Sequence, residues 1–277
     1  MKHLPNLLTL GNLFCGCIAI AYIFTAYPSI FMSMGDHTNL PTYQVVYGIP
    51  QMYMGSIFIG IAALCDLLDG LAARALKVFS PIGKDLDSLA DLISFGVAPS
   101  AILFQLLWNA TMSGKDNFQA SIYTNDTFEA NMLSMVPAFL VACFAALRLA
   151  KFNITTTNQK SFFIGMPTPA VGLFIATFPL LMWYNPFGIS KYFENKMVIY
   201  SIIVIVCWLM VSKIHFFKLI PYKLNIKYAW PQIVIIIIAI VSLLFMQLIA
   251  LPIIFIMYIL LSFIYKHPDL KSEIENI

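Results

Sequence analysis

Charged residues are scarce in this sequence of 277 residues: they make up 10% of it, whereas soluble domains carry about 25%. Hydrophobic residues make up 60% of the chain, and the mean hydropathy is +0.84. This balance excludes a soluble globular domain. It predicts an all-α integral membrane protein, a polytopic helical bundle whose apolar helices face lipid.

Cysteine is too sparse and too scattered for a disulfide framework or a zinc site. All five cysteines lie in apolar stretches, and Cys15 and Cys17 are only two residues apart, so on a helix they point in different directions. We interpret them as small apolar residues. A cleavable signal peptide is not expected either, because the apolar run after Lys2 and His3 continues to about Ala26 without a small-residue cleavage site.

Long apolar runs predict about eight transmembrane helices, since a spanning helix needs about 20 apolar residues. The predicted spans are 7–27, 51–75, 86–108, 132–150, 166–184, 197–214, 231–248 and 251–265. The last two are separated at Pro252, because the 34 residues from Gln232 to Tyr265 contain no charge. A single helix of that length would reach about 51 Å, against a bilayer core of about 30 Å.

The distribution of basic residues predicts the orientation. With these spans, 13 of the 16 Lys and Arg residues lie on the side of the two termini, which the positive-inside rule assigns to the cytoplasm. One helix in place of the last two spans would move Lys266 and Lys271 outside. The basic and aromatic stretch 213–230 is typical of an interfacial segment whose lysines reach anionic head groups, and we expect no nucleic-acid partner.

Acidic residues are few, yet five of the thirteen fall within 26 residues: Asp66, Asp69, Asp85, Asp87 and Asp91. Asp66 and Asp69 are three residues apart, and Asp87 and Asp91 are four apart, so each pair shares one helix face. A short connection makes the two helices antiparallel neighbours, and their acidic faces can converge. Asp85 is offset by two residues from Asp87, and we interpret it as a charge at the helix N-terminus.

Four carboxylates that converge beside hydrocarbon repel one another, and divalent cations remove the repulsion. Oxygen ligands suit Mg²⁺, Mn²⁺ or Ca²⁺ rather than zinc. Two ions would neutralise four carboxylates and bind a diphosphate. The small residues Gly70 and Ala73 would let a bulky ligand approach the helix, and Arg74 would add a charged donor for phosphate oxygens.

Other interpretations of the acidic cluster stay open. The acids can pair with Arg74, Lys77 and Lys84 as a solvated patch at the membrane edge. A cation-coupled transporter is a second alternative, because intramembrane acids often mark ion paths. The location of all four acids near one face, without a second, symmetry-related broken helix in the sequence, disfavours it. A non-catalytic lipid-binding scaffold is disfavoured by the complete acid set.

The pattern D-x2-D-G-x2-A-R-x8-G-x3-D-x3-D, from Asp66 to Asp91, resembles the signature of the CDP-alcohol phosphatidyltransferases at all eight positions. The resemblance implies a membrane enzyme with a six-helix core. Such an enzyme transfers a phosphatidyl or related group from a CDP-linked donor to an alcohol and releases CMP. It also implies a two-metal site, Mg²⁺ or Mn²⁺, formed by Asp66, Asp69, Asp87 and Asp91, and contacts to the CDP group from Gly70, Ala73, Arg74 and Gly83.

Asp91 is the expected general base, with Asp87 beside it in the catalytic set. The acceptor hydroxyl must lose a proton, and a carboxylate within hydrogen-bond reach can take it. Asp91 lies deepest toward the membrane of the four acids, where an acceptor would meet the lipid-bound phosphate. The same residue can also serve as a metal ligand.

Further segments resemble the phosphatidylserine synthase branch of the family: LPNLLTLGNLFCGCIAI (4–20), SLADLISFGVAPS (88–100), ALRLAKFNI (146–154), FFIGMPTPA (162–170) and MVSKIHFFKL (210–219). This resemblance implies CDP-diacylglycerol as donor, L-serine as acceptor, contact with membrane lipid, and a homodimer. It also implies that Asn6 and Thr9 reach the nucleotide, although Asn6 can equally be an ordinary helix cap.

The serine carboxylate needs a cationic partner, and we expect Arg148, Lys151 and Asn153 to bind it. Lys151 departs from the arginine expected in many relatives, which keeps the charge but loses bidentate geometry. Arg148 and Lys151 can equally be positive-inside anchors. Glycerol 3-phosphate or an inositol phosphate is the alternative acceptor, but a dianionic phosphate would require more basic residues than these two.

The expected division of the chain is a six-helix core over residues 1–230, followed by an additional helical hairpin and a short cytoplasmic tail over 231–277. The expected location is a prokaryotic cytoplasmic membrane, with the active site facing the cytoplasm.

Overall fold

The computed structural model describes residues 4–26, 29–34, 41–46, 49–77, 81–113, 132–155, 162–217, 226–246 and 249–265. Most of these residues are helical. The α-helices are α1 (Leu4–Phe24), α2 (Ile49–Leu76), α3 (Pro81–Leu92), α4 (Ala98–Ser113), α5 (Leu140–Thr155), α6 (Thr168–Tyr184), α7 (Ser190–Phe193), α8 (Lys196–Val211), α9 (Ile226–Met246) and α10 (Ala250–Ile264).

Four short strands accompany the helices and form two antiparallel pairs. Strand β1 (Ser29–Met34) pairs with β2 (Pro41–Val46). Strand β3 (Phe162–Ile164) pairs with β4 (His215–Phe217), although 50 residues separate them in the chain. The second pair lies next to the C-terminal end of α5, where Phe163 contacts Phe152.

Helices α1 and α2 pack along each other. The buried residues of α1 follow a spacing of three or four, which places them on one face of a helix: Pro5, Thr9, Asn12, Gly16, Ala19 and Ile23. On α2, an added Cβ at Gly55 would lie 2.6 Å from the side chain of Ile23, so glycine allows the close approach of the two helices. The polar members of this stripe, Thr9 and Asn12, therefore point into the bundle.

The third predicted span, 86–108, is longer in the structure and is helical from Pro81 to Ser113. It starts earlier because proline is well suited to the first turn of a helix, where its missing N–H has no partner to lose. Asp85 consequently lies in the second turn. Asp85 is therefore near the N-terminal end of the helix, as interpreted from the sequence, but just beyond its first turn.

A π-helical turn, Ile93–Val97, interrupts this long helix between α3 and α4. Three helices contact it through small residues. An added Cβ at Gly16 of α1 would collide with Ser94, and one at Gly172 of α6 would lie 2.8 Å from Cα of Phe95. An added Cβ at Gly96 would lie 3.2 Å from Cβ of Ala145 on α5. Turns of this type are frequent at functional sites.

The membrane-spanning segments agree in part with the prediction. Within the described residues, four helical segments are long and apolar enough to cross a bilayer: Leu4–Phe24, Ile49–Leu76, Ile82–Thr111 and Met132–Ile154. A fifth arises if the bent pair 168–184 and 186–193, which turns by 114°, counts as one span. The remaining apolar helices are shorter. The protein is thus a helical membrane protein, whereas eight spans and cytoplasmic termini stay predictions.

The C-terminal helices pack against the rest of the bundle rather than standing apart. Helix α10 contacts α6 through the rings of Phe255 and Phe174, which stack with centroids 3.9 Å apart. It also contacts α9 and strand β4. The residues assigned to an additional hairpin, 231–277, therefore share the core with the preceding helices over their described part.

Candidate active site

Three carboxylates meet where the end of α2 lies against α3. Asp66 and Asp69 come from α2, and Asp87 comes from α3. One carboxylate oxygen of each lies within 4.8 Å of the others. Asp69 is buried, and the other two are half-buried. Of the four acids that were predicted to converge, these three form one group in the structure.

Asp91 lies one helical turn beyond Asp87 and outside that group of three. It is 7% exposed, and its Oδ1 accepts a hydrogen bond from Nδ2 of Asn12 at 3.3 Å. Asp91 also interacts electrostatically with Asp66 and Asp87. The fourth acid is therefore part of the same cluster, but it lies deeper and is held by α1.

Thr9 of α1 contacts the cluster directly. Its hydroxyl lies 2.6 Å from Oδ2 of Asp69 and 3.0 Å from the carbonyl oxygen of Pro5. A hydroxyl has one hydrogen, so it donates to one of these acceptors at a time. Thr9 was expected to reach the nucleotide; in the structure it orients a carboxylate. Asn6 is half-buried in the first turn of the same helix.

Asn12, which sequence reasoning did not single out, contacts the acidic cluster through Asp91. It is fully buried, and its backbone carbonyl accepts a hydrogen bond from Ser94 Oγ at 3.0 Å. Its own Oδ1 is buried without a hydrogen-bond partner among the described residues. The available signal was an amide side chain in an apolar helix, three residues after Thr9 and hence on the same face.

The group of three carboxylates fits a hard divalent cation. Two oxygens bound to one such ion at about 2.0–2.5 Å each lie at most about 5 Å apart, and the three carboxylates meet that limit. The donor set is all oxygen and negatively charged, which suits Mg²⁺, Mn²⁺ or Ca²⁺ and not a thiolate-selecting metal.

The remaining residues of the motif line the same end of α2 and α3. Gly70 is half-buried, and an added Cβ there would lie 3.9 Å from Nη2 of Arg74, so the guanidinium passes beside the glycine. Ala73 and Gly83 are half-buried, and Arg74 is exposed. The four residues expected to contact CDP are thus all at least partly accessible, at the end of α2 and α3 that carries the carboxylates.

Arg148 lies deep in the bundle near the end of α5. It is 8% exposed, and Nη1 donates to Thr168 Oγ1 at 3.2 Å. Its guanidinium carbon lies 5.0 Å from the ring centroid of Phe152 and 6.0 Å from that of Phe163. Nε has no hydrogen-bond partner among the described residues. Arg148 also interacts electrostatically with Asp91, so it belongs to the surroundings of the acidic cluster.

A cavity of about 290 Å³ opens beside Arg148 and Lys151. Its other lining residues are largely apolar: Leu147, Phe152, Ile164, Met210, Val211 and Ser212. Asn153, the third expected serine ligand, does not line it. The Asn153 side-chain amide donates to Ser88 Oγ at 2.8 Å, and the backbone carbonyl of Asn153 accepts from Lys84 Nζ at 3.0 Å.

Strand β3 contributes Ile164 to the wall of this cavity, beside Met210, Val211 and Ser212. Gly165 N–H donates to the carbonyl of Ile214, and Met166 N–H donates to that of Leu209, which fixes the chain after β3 to the end of α8. Gly165 has φ +75°, where glycine is favoured, and an added Cβ would collide with the carbonyl of Met210. Burial lowers the pKa of His215 on β4.

Comparison with known proteins gives consistent results. The family model described as CDP-alcohol phosphatidyltransferase matches residues 2–212. A CDP-diacylglycerol–serine O-phosphatidyltransferase of Helicobacter pylori (strain 26695) is 32% identical over 206 residues, which cover 74% of each chain. The protein of that name from Bacillus subtilis is 29% identical over 186 residues, 67% of this chain and 79% of the relative. An archaetidylserine synthase of Methanothermobacter thermautotrophicus is 34% identical over 127 residues, 45% of this chain and 46% of the relative.

Proposed function

The chain belongs to the CDP-alcohol phosphatidyltransferase family, and we propose from this premise that it transfers the phosphatidyl group of CDP-diacylglycerol to the hydroxyl of L-serine. The products are phosphatidylserine, which stays in the membrane, and CMP, which leaves to water. The observation that carries the proposal is the meeting of three carboxylates, with a fourth held beside them and a buried arginine nearby.

In this proposal Asp66, Asp69 and Asp87 hold the divalent metal, with Asp91 as a further ligand if a second ion binds. Bound metal would stabilise the negative charge that builds up on the phosphate oxygens. The glycine-lined face beside Gly70 would receive the CDP group, and the exposed Arg74 would donate to its phosphates.

Asp91 acts as the general base. The serine hydroxyl oxygen forms a bond to the β-phosphorus, the bond from that phosphorus to the CMP oxygen breaks, and the hydroxyl proton passes to Asp91. Asn12 donates to one oxygen of Asp91 and thereby fixes the carboxylate plane. The other oxygen is then directed to the acceptor.

The serine carboxylate binds in the cavity beside Arg148 and Lys151. Nη1 of the guanidinium donates to Thr168, and Nε is buried without a partner among the described residues, so the arginine keeps hydrogen-bonding capacity for a carboxylate. A single buried arginine beside largely apolar walls suits a monoanion better than a phosphate dianion. This favours serine over glycerol 3-phosphate or an inositol phosphate, as do the names of the relatives.

The remaining parts of the proposal concern the setting. We place the site at the cytoplasmic face, because CMP is released to water on the side where the basic residues lie in the predicted topology. The predicted homodimer and the predicted boundary at residue 230 follow from the family and from the sequence. The transporter alternative has no specific support from the described residues.

CMP release by the purified protein in detergent tests the proposal. CDP-diacylglycerol and Mn²⁺ or Mg²⁺ are supplied with serine, glycerol 3-phosphate, an inositol phosphate or no acceptor. We expect release with serine alone and its loss on chelation. Release with another acceptor would refute serine as substrate but not the chemistry. No release from folded protein under any condition would refute the enzyme assignment.

A further inference from the structure

The wall of the acceptor cavity depends on a helix outside the matched part of the family. The family match ends at residue 212, whereas strand β4 and helix α10 follow it. We infer that Tyr258 of α10 is a positioning residue for the acceptor: it holds β4, and through β4 it holds β3 and Phe163 against Arg148. This inference rests on the proposed assignment of the cavity to serine.

The first link joins α10 to β4. The Tyr258 hydroxyl donates to the carbonyl oxygen of Phe217 at 3.1 Å. The Tyr258 ring also contacts the rings of Phe216 and Phe217, with centroids 5.7 Å and 5.1 Å away. Tyr258 is 7% exposed, so this hydrogen bond is shielded from water.

The second link joins β4 to β3. The two strands pair in antiparallel register, with Phe163 opposite Phe216 and Ile164 opposite His215. Neither strand has a further strand beside it in the described part of the chain. A two-stranded pair is only marginally stable alone, so its position depends on what packs against β4.

The third link joins β3 to the acceptor site. The ring of Phe163 contacts the Arg148 guanidinium and the ring of Phe152, at centroid distances of 6.0 Å in each case. Ile164 lines the cavity directly. Tyr258 is also within electrostatic range of Arg148. Moving β3 would therefore change the position of the guanidinium, while Asp66, Asp69 and Asp87 lie on helices that β3 does not carry.

Tyr258→Phe removes the hydroxyl and leaves the ring. We expect the KM for serine to rise about two- to tenfold, the range that corresponds to the loss of one ordinary hydrogen bond. The KM for CDP-diacylglycerol should not change, because Asp66, Asp69 and Asp87 are on the other helices. Tyr200→Phe is the matched control: its hydroxyl donates to the carbonyl of Ser134 at 2.6 Å, in another part of the bundle.

Hydrogen exchange of the amides of residues 162–166 provides a readout that does not require activity. Tyr258→Phe should accelerate it and Tyr200→Phe should not. If wild type releases CMP with serine while Tyr258→Phe keeps the wild-type serine KM and exchange, the inference is refuted. If wild type is inactive with serine, the proposed function fails, and the exchange comparison still decides whether Tyr258 holds the strands. Should Tyr258→Phe not fold, Phe217→Leu removes the ring contact with Tyr258 instead, and the same rise in serine KM and in exchange is expected; wild-type values of both would refute the inference.

Discussion

Replacing Asn12 by alanine tests the assignment of Asp91 as the base, because Asn12 contacts only this acid in the cluster. The Nδ2–Oδ1 distance is 3.3 Å, at the long end for a hydrogen bond. Hydrogen bonds to charged groups contribute about 1.5–3 kcal/mol. Because this bond is long, we expect its loss to cost about 1.5 kcal/mol, the lower end of that range. That value corresponds to about a tenfold fall in kcat.

The effect should fall on kcat rather than on either KM. Asn12 does not belong to the carboxylate group of Asp66, Asp69 and Asp87, and it does not line the cavity beside Arg148. CMP release at varied concentrations of each substrate separates the three constants.

Ser94→Ala is the matched control for Asn12→Ala. It removes the hydroxyl that donates to the Asn12 carbonyl at 3.0 Å, across the same pair of helices, but it leaves the amide side chain in place. We expect about 1 kcal/mol of lost stability and a kcat close to wild type. An unchanged kcat in Asn12→Ala, or equal losses in both variants, would refute the role of Asn12 at Asp91.

Further predictions concern the acids, the packing and the topology. Asp91→Asn should lower turnover at least about a hundredfold, the scale of general base catalysis, while CDP-diacylglycerol binding falls less than in Asp66→Asn; equal losses of donor binding would contradict separate roles. Gly172→Ala should destabilise the protein by about 1–3 kcal/mol, measured as a lower Tm in detergent, because its Cβ would lie 2.8 Å from the backbone of Phe95. Gly60→Ala, with nothing within 4 Å of an added Cβ, is the control and should not lower Tm. A reporter fused to the C-terminus should score as cytoplasmic; an external signal would refute the eight-span topology.

The convergence of the three carboxylates could be predicted from the sequence, because it depends on the spacing of residues along two neighbouring helices. Spacings of three and four residues place side chains on one helix face whatever the surroundings are. A short connection then brings the two helices together, so the convergence of Asp66, Asp69 and Asp87 follows from the sequence. The position of Asp91 outside the group of three does not, because it depends on how α1 packs against α3.

Long-range contacts and helix irregularity were not predictable in the same way. Asn12 carries no spacing signal that names Asp91, 79 residues later, as its partner. Asn153 was expected in the serine pocket because it follows Arg148 closely in sequence, but five residues along a helix change the face, and the amide meets Ser88 instead. The contact of Tyr258 with Phe217 depends on tertiary packing.

The π-helical turn Ile93–Val97 changes the direction in which side chains point in the second half of one long helix, relative to the first half. An α-helix turns by about 100° per residue, so the additional residue in this turn offsets the direction of every side chain after it relative to those before it. Asp87 and Asp91 can face α1 and α2, while α4 presents a different face to α6 and α8. Deleting one residue from this turn would remove the offset. Either the carboxylates of α3 would then turn away from α1 and α2, or the apolar side chains of α4 would turn away from α6 and α8. The length of this segment, more than the identity of its residues, thus sets the direction of the acids.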